Sequence, residues 1–224
     1  MKNGKLFVLE GLDGSGKSTQ FELLDKYLEE KKITHKAISF PNYENPSSSL
    51  VKMYLNGEFS DNATDINAYA ASSFYAVDRY ASYKLFWEKD YKAESFILAA
   101  RYVTSNAIYQ MVKLPKSQWD DYLNWLEEYE YSRLGLPKPD AVIFLDMPID
   151  ISQKLLLNRY NGDENKKDIH EINVDFLNKC REAALYTAKK QNWIVIPCSD
   201  GRKAYDIKDI SNKLIGQLDK IIWE

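Results

Sequence analysis

An α/β fold with a mainly parallel, five-stranded sheet is what the sequence predicts, and three observations carry that expectation. Short apolar runs alternate with segments of helical spacing along the whole chain, the pattern left by strands joined through right-handed helical crossovers. The run Asp140 to Leu145 is almost continuously apolar and β-branched, as a strand covered on both faces should be. The first run feeds a loop, Gly11-x-x-x-x-Gly16-Lys17-Ser18, that opens a helical pattern, which is the strand-loop-helix setting of a P-loop.

Taken in order, Leu6 to Leu9 is a buried strand. Beyond it, Gly14 and Gly16 remove side chains so that backbone N–H groups can curl around phosphate oxygens, helped by the unpaired donors of the following helix. Lys17 supplies a point charge for β- and γ-phosphates and Ser18 a hydroxyl for Mg²⁺, with Gly11, Asp13, Ser15 and Thr19 completing the nucleotide loop. Phe21, Leu23, Leu24, Tyr27 and Leu28 recur at helical spacing. A strand from Lys36 to Phe40 is stopped by Pro41, and Ser49 caps a helix ended by Gly57.

From about Asp65 to Lys89 the chain is dense in Ala, Tyr, Phe and Trp and apolar on more than one face, so it is expected to pack on the domain and on something else, a second copy being one candidate. Ser95 to Ala100 is the third strand, and Arg101 to Ser105 lead into another helix. Amphipathic segments at Ala107 to Val112 and Gln118 to Arg133 end at Leu136-Pro-Lys-Pro139, before the fourth strand. Helical spacing resumes at Ile149 to Leu157 and Val174 to Ala188, Trp193 to Pro197 is the last strand, and Ile207 to Ile222 is the closing helix.

With 224 residues and no repeat or linker, residues 1–224 are expected to form one domain. The net charge of −3 and the lack of a Lys/Arg block argue against nucleic acid as a partner. No apolar run approaches a membrane span and no charged-then-apolar leader is visible, so a cytoplasmic protein without membrane contact is expected. Cys180 and Cys198 lack metal-ligand spacing and do not make a disulfide scaffold; both are expected to be plain core or near-surface residues. His35 reads as a surface residue.

Ligands of such sheets bind beyond the carboxyl ends of the strands, where Asp13, Phe40, Pro41, Arg101 and Asp146 fall. Arg101 is either a solvated strand end or a forked donor for a second phosphate. Tyr75 and Arg79, spaced i and i+4, either point into one cleft or are a core Tyr beside a surface Arg. The polar stretch Arg159 to Asp168 is either a solvated loop or a lid that brings Arg159, Lys166 or Lys167 over a transferring phosphoryl group.

These residues together resemble the thymidylate kinase family over nearly the whole chain. The resemblance is carried by Phe7-Val-Leu-Glu-Gly-Leu-Asp-Gly-Ser-Gly-Lys-Ser-Thr-Gln20, Phe40-Pro41, Tyr75-Ala-Val-Asp-Arg79, Arg101-Tyr-Val-Thr-Ser105 and Pro139-Asp-Ala-Val-Ile-Phe-Leu145. It implies an enzyme of nucleotide biosynthesis, a P-loop kinase that makes dTDP from dTMP and ATP with Mg²⁺ as cofactor, working as a homodimer. It further implies that Arg101 grips the dTMP phosphate, that Tyr75 stacks on thymine, that Arg79 meets the base edge, and that Tyr109 lies under the deoxyribose. Asp13 then lies near the acceptor sugar and phosphate, with Phe40, Pro41 and Ser105 in the same substrate site. Members lacking a basic residue inside the P-loop use lid cations instead. Gly14 and Ser15 put this chain in that group, which makes Arg159, Lys166 and Lys167, in a lid at about 159–170, catalytic candidates beside Lys17.

Two departures from the family pattern stand out. Asn42 follows Phe-Pro where many members have a basic residue. Ala100 replaces the Asp of the Asp-Arg-Tyr motif, where a carboxylate would orient metal-bound water. The expectation is retained fold and nucleotide binding with turnover lowered about 10²-fold or more. The alternatives are a catalytically impaired nucleotide-binding protein and a kinase for another nucleoside monophosphate.

Overall fold

The structure is a computed structural model that describes residues 4–60, 62, 64–159 and 174–223, with the side chains at 158 and 159 outside the description. Its five strands, β1 (Leu6–Gly11), β2 (His35–Ser39), β3 (Phe96–Ala100), β4 (Ala141–Asp146) and β5 (Ile194–Pro197), form one sheet in the order β2-β3-β1-β4-β5. All four pairings are parallel, and in register Leu9 lies between Ala100 on β3 and Ile143 on β4. The apolar run of β1 therefore becomes the central strand, with all six residues buried.

Alternation along the strands sends successive side chains into two cores. Leu6 and Val8, with Ile97, Ala99, Val142 and Phe144, face one core, closed by α5 (Thr104–Tyr109), α6 (Trp119–Leu126) and α8 (Val174–Gln191). Phe7 and Leu9, with Leu98, Ile143 and Leu145, face the other, closed by α1 (Lys17–Glu30) and α9 (Ile207–Trp223) through Leu24, Leu28, Leu214 and Leu218. α2 (Ser49–Leu55), α3 (Ala68–Ser82), α4 (Glu88–Lys92) and α7 (Ile149–Arg159) are the other α-helices among the described residues. Both cysteines are buried, and burial pushes the Cys198 thiol up to about 12. His35 is pinned rather than free at the surface, its ring nitrogens 2.8 Å from Ile33 O and from Asp25 Oδ1.

The long helical pattern expected over 65–89 is broken. Asn67 caps α3 by accepting from the Ala70 N–H at 2.8 Å, and residues Tyr83–Trp87 form a π-helical turn before α4. A second π-helical stretch, Glu127–Arg133, extends α6. Such a stretch changes which face the following side chains occupy, and here Glu130 within it is fully buried. Along the 65–89 segment Tyr69, Val77, Tyr80, Leu85 and Phe86 remain more than a third exposed. No helix among the described residues is long and apolar enough to cross a membrane.

Candidate active site

The site is assembled at the carboxyl edge of the sheet, beginning with the loop between β1 and α1. The loop turns back on itself, with Ser15 N–H donating to Leu12 O at 3.1 Å, and Gly16 in the left-handed conformation (φ 84°) starts α1. Gly14 is also left-handed (φ 76°), and a Cβ there would lie 2.5 Å from the Ser152 carbonyl of α7. The loop packs against α7 too closely for a side chain at position 14.

Two cavities open along this edge. The larger, about 560 Å³, is lined by residues 12–20 of the loop and α1 together with Met147, Leu156, Tyr205 and Ile207. Asp13, Gly14, Ser15, Gly16, Lys17, Ser18 and Thr19 are all on its wall; Gly11 is buried at the end of β1 and is not. The smaller, about 270 Å³, is lined by Asp13, Phe40, Pro41, Tyr75, Arg79, Arg101, Ser105 and Tyr109, every acceptor-site residue read from the sequence. Asp13 and Lys17 line both cavities.

Four buried side-chain atoms have no hydrogen-bond partner among the described residues. Three of them, Ser15 Oγ, Gln20 Oε1 and Gln110 Oε1, belong to residues on these two walls; the fourth is Trp87 Nε1. Buried polar atoms are nearly always satisfied, so their gathering here marks surfaces built for polar ligands.

Arg101 follows β3 with a positive φ of 64°, its N–H bonded to Leu9 O at 3.0 Å. Its side chain is 18% exposed, with NH2 2.5 Å from Asp13 Oδ1 and the guanidinium carbon 5.0 Å from the centre of the Tyr109 ring. It is thus a held cation rather than a solvated strand end. Burial alone would lower its pKa, yet Tyr109, Asp13 and Glu10 outweigh that and raise it well above the ordinary value. Burial pushes the Tyr109 phenol well above its usual range, so it stays protonated and donates to Asp13 Oδ2 at 3.3 Å.

The reading of Arg79 as a surface residue is overturned: it is 1% exposed. Its Nε and NH2 each donate to Glu130 at 2.6 Å, and NH1 donates to Tyr102 O at 3.3 Å. Burial would lower the Arg79 pKa, but the Glu130 carboxylate raises it, so the guanidinium is charged. Tyr75, half-buried, shares the cavity wall with it. Asp146 does not reach this cluster; Arg181 of α8 engages both its oxygens at 2.6 and 2.9 Å.

The site also contains residues that no sequence motif singles out. Tyr43, Leu55, Asn106 and Gln110 line the smaller cavity. Glu10, fully buried in β1, accepts from the Tyr102 N–H at 3.2 Å, from Thr104 Oγ1 at 2.6 Å and from Ser105 Oγ at 2.8 Å, which ties the turn carrying Arg101 to the central strand. A lone acid inside an apolar strand run was a signal available in the sequence. The Ser105 hydroxyl is thereby oriented from behind the cavity wall.

Arg159 ends α7, and its side chain lies outside the described residues, as do Lys166 and Lys167. No group of three or more His, Cys, Asp or Glu side chains able to hold a metal comes together among the described residues. Ser18, exposed at the start of α1, offers a hydroxyl beside the loop.

A family model described as thymidylate kinase matches residues 9–206. The chain is 30% identical to the thymidylate kinase of Plasmodium falciparum over 226 residues, covering 98% of this chain and 92% of that one. It is 27% identical to the thymidylate kinase of Mycobacterium tuberculosis over 191 residues, covering 84% and 87%. The solved structure of the Candida albicans thymidylate kinase superposes with a TM-score of 0.69 at 23% identity, covering 97% of this chain and 92% of that one, a likeness of fold.

Proposed function

The chain belongs to the thymidylate kinase family, and from that premise we propose that it transfers the γ-phosphoryl group of ATP to dTMP, giving dTDP and ADP. In this reading the larger cavity takes ATP and the smaller takes dTMP. The observation that carries it is the junction: Asp13 and Lys17 belong to both walls, so a donor and an acceptor phosphate would meet at one cation. Phosphoryl transfer asks mainly for positioning and charge neutralisation.

Lys17 and the backbone N–H groups of the loop would hold the β- and γ-phosphates, and Arg101 the dTMP phosphate. Tyr75 would stack on thymine, Arg79 would donate to its edge, and Tyr109 would fill the space under the deoxyribose. A set of one hydroxyl, Ser18, beside a phosphate loop suits Mg²⁺, which keeps several waters and takes most other ligands from substrate phosphates. Mg²⁺ held at the Ser18 hydroxyl would supply positive charge that neutralises the transferring phosphates. Gly14 leaves the remaining cationic charge to Arg159, Lys166 and Lys167, in a lid at about 159–170 of a single domain spanning 1–224. Ala100, 6% exposed at the end of β3 beside the loop, leaves the site without the family's carboxylate, and we infer lowered turnover from it. Free thiols at Cys180 and Cys198 accord with a cytoplasmic setting. The exposed apolar face of α3 and the π turn supports a homodimer, which sedimentation at micromolar concentration tests.

The functional test is ADP release with dTMP, dUMP, CMP and shikimate offered in turn. Turnover dependent on dTMP above the other acceptors is expected. If no acceptor is phosphorylated while calorimetry shows nucleotide binding, the second reading replaces the first: a nucleotide-binding protein whose catalysis has been lost with Ala100.

A further inference from the structure

We propose that Glu130, outside the cavity wall, is the positioning residue that sets the hydrogen-bonding polarity of the acceptor-base site and so selects thymine over cytosine. The inference rests on the dTMP-kinase reading above and deepens it.

Glu130 is fully buried and makes three bonds to two wall residues. Its Oε2 accepts from Arg79 Nε at 2.6 Å, and its Oε1 accepts from Arg79 NH2 at 2.6 Å and from Asn106 Nδ2 at 3.0 Å. An ionised carboxylate only accepts, so whatever faces it must donate. For Asn106 this decides which way the amide points. Its Nδ2 also donates to the Ser72 carbonyl at 3.2 Å, so two acceptors hold the NH2 end inside the protein. The other end, Oδ1, has no hydrogen bond to the described residues, and Asn106 lines the cavity. The wall therefore offers an acceptor at Asn106.

Arg79 offers the opposite polarity. Of the five N–H groups of a guanidinium, three are engaged by Glu130 and Tyr102, leaving two for a ligand. A donor beside an acceptor complements a base edge bearing a carbonyl next to an N–H, as thymine does at O4 and N3. Cytosine presents an amine and a bare ring nitrogen there, so both contacts become donor against donor and acceptor against acceptor. Buried polar groups left unpaired in this way give strong discrimination, as when a site built for one polar group meets its mismatch.

A merely structural role for Glu130 would lower activity with any acceptor. A polarity-setting role changes a ratio. Glu130→Gln keeps the shape but introduces an NH2 that must face either Arg79 Nε or both Arg79 NH2 and Asn106. Facing Asn106, it removes one of the two acceptors that hold the amide and leaves only the Ser72 carbonyl against the flipped form, which offers N–H to the cavity. The expected result is a fall of at least 10-fold in the dTMP:dCMP ratio of kcat/KM, and a parallel rise in the dTMP:dCMP ratio of Kd values measured by calorimetry. In an Asn106→Ala background the same substitution should change the ratio much less, since the amide it acts through is gone. Glu130→Asp, which keeps the charge but withdraws it from Asn106, carries the same expectation if the Gln variant does not fold. A folded variant of either kind that retains the wild-type ratio overturns the inference and leaves the functional reading standing. A wild type that binds neither monophosphate overturns both.

Discussion

Replacing Arg101 by Lys keeps the positive charge and removes what the geometry says matters, the fork and the flat face. The fork reaches Asp13 at 2.5 Å while the guanidinium lies over the Tyr109 ring. A lysine ammonium is a point charge on a flexible stem and cannot hold both contacts and a phosphate oxygen together. The loss of one charge-assisted bond to the acceptor phosphate is about 1.5–3 kcal/mol, and part of the ring contact adds about 0.5–1 kcal/mol. At about 1.4 kcal/mol per decade, a sum of about 2–4 kcal/mol lowers kcat/KM for dTMP by about 30- to 1,000-fold. The assay is coupled ADP release with each substrate varied at saturating levels of the other. The KM for ATP should move less than about threefold, because Arg101 lines only the smaller cavity. Melting should shift by only a few degrees, since the side chain is not fully buried. A Lys variant within threefold of wild type for dTMP, or one whose KM for ATP rises equally, would refute the assignment of Arg101 to the acceptor phosphate.

Ala100→Asp, which introduces a carboxylate at the end of β3, should raise kcat at least 10-fold with little change in either KM; no gain in rate refutes the inference that Ala100 lowers turnover. Gly14→Ala meets both a left-handed backbone and the Ser152 carbonyl 2.5 Å from its Cβ, so the KM for ATP should rise at least about 10-fold and stability fall by about 1–3 kcal/mol; an unaffected melt and KM would show that the loop can back away from α7. Lys113 donates to Tyr54 OH and Ile66 O, both at 2.9 Å, and burial lowers its pKa from 10.5 to about 8. The unfolded chain then holds more protons than the folded one between pH 8 and 10.5, so this group's contribution to stability rises with pH across that window and is smallest below it. Discounted for solvent screening of a partly exposed side chain, the rise is about 1–2 kcal/mol. Urea unfolding of wild type and Lys113→Met from pH 7 to 10.5 reads it as a growing advantage for wild type, and parallel curves would contradict it.

What the sequence by itself determined is what local pattern encodes. The apolar run of β1, the glycines that permit left-handed turns, and Lys17 at the start of α1 are neighbours along the chain, so spacing alone identified the loop. The family resemblance pointed to Arg101, Tyr75 and Tyr109, which the structure places on one cavity wall, and the alternation of strands and helices yielded the parallel sheet. The structure decided what depends on contacts between distant residues. Arg79 at i+4 from Tyr75 reads equally well as surface or cleft until Glu130, 51 positions away, draws its guanidinium into the core. The π-helical stretch at 127–133 that buries Glu130 has no period a sequence pattern can detect, because one inserted residue shifts the face of everything after it. Glu10 was visible as an acid in an apolar strand, but its three partners lie on the turn after β3 and at the start of α5, brought near only by the β1–β3 pairing. Asn106 carries no polarity in a sequence; the carboxylate and carbonyl that orient its amide belong to other elements. Local propensity, in short-range positions such as these glycines, fixes the loop, while only the packing of non-adjacent elements determines which donors and acceptors the loop's partner site presents.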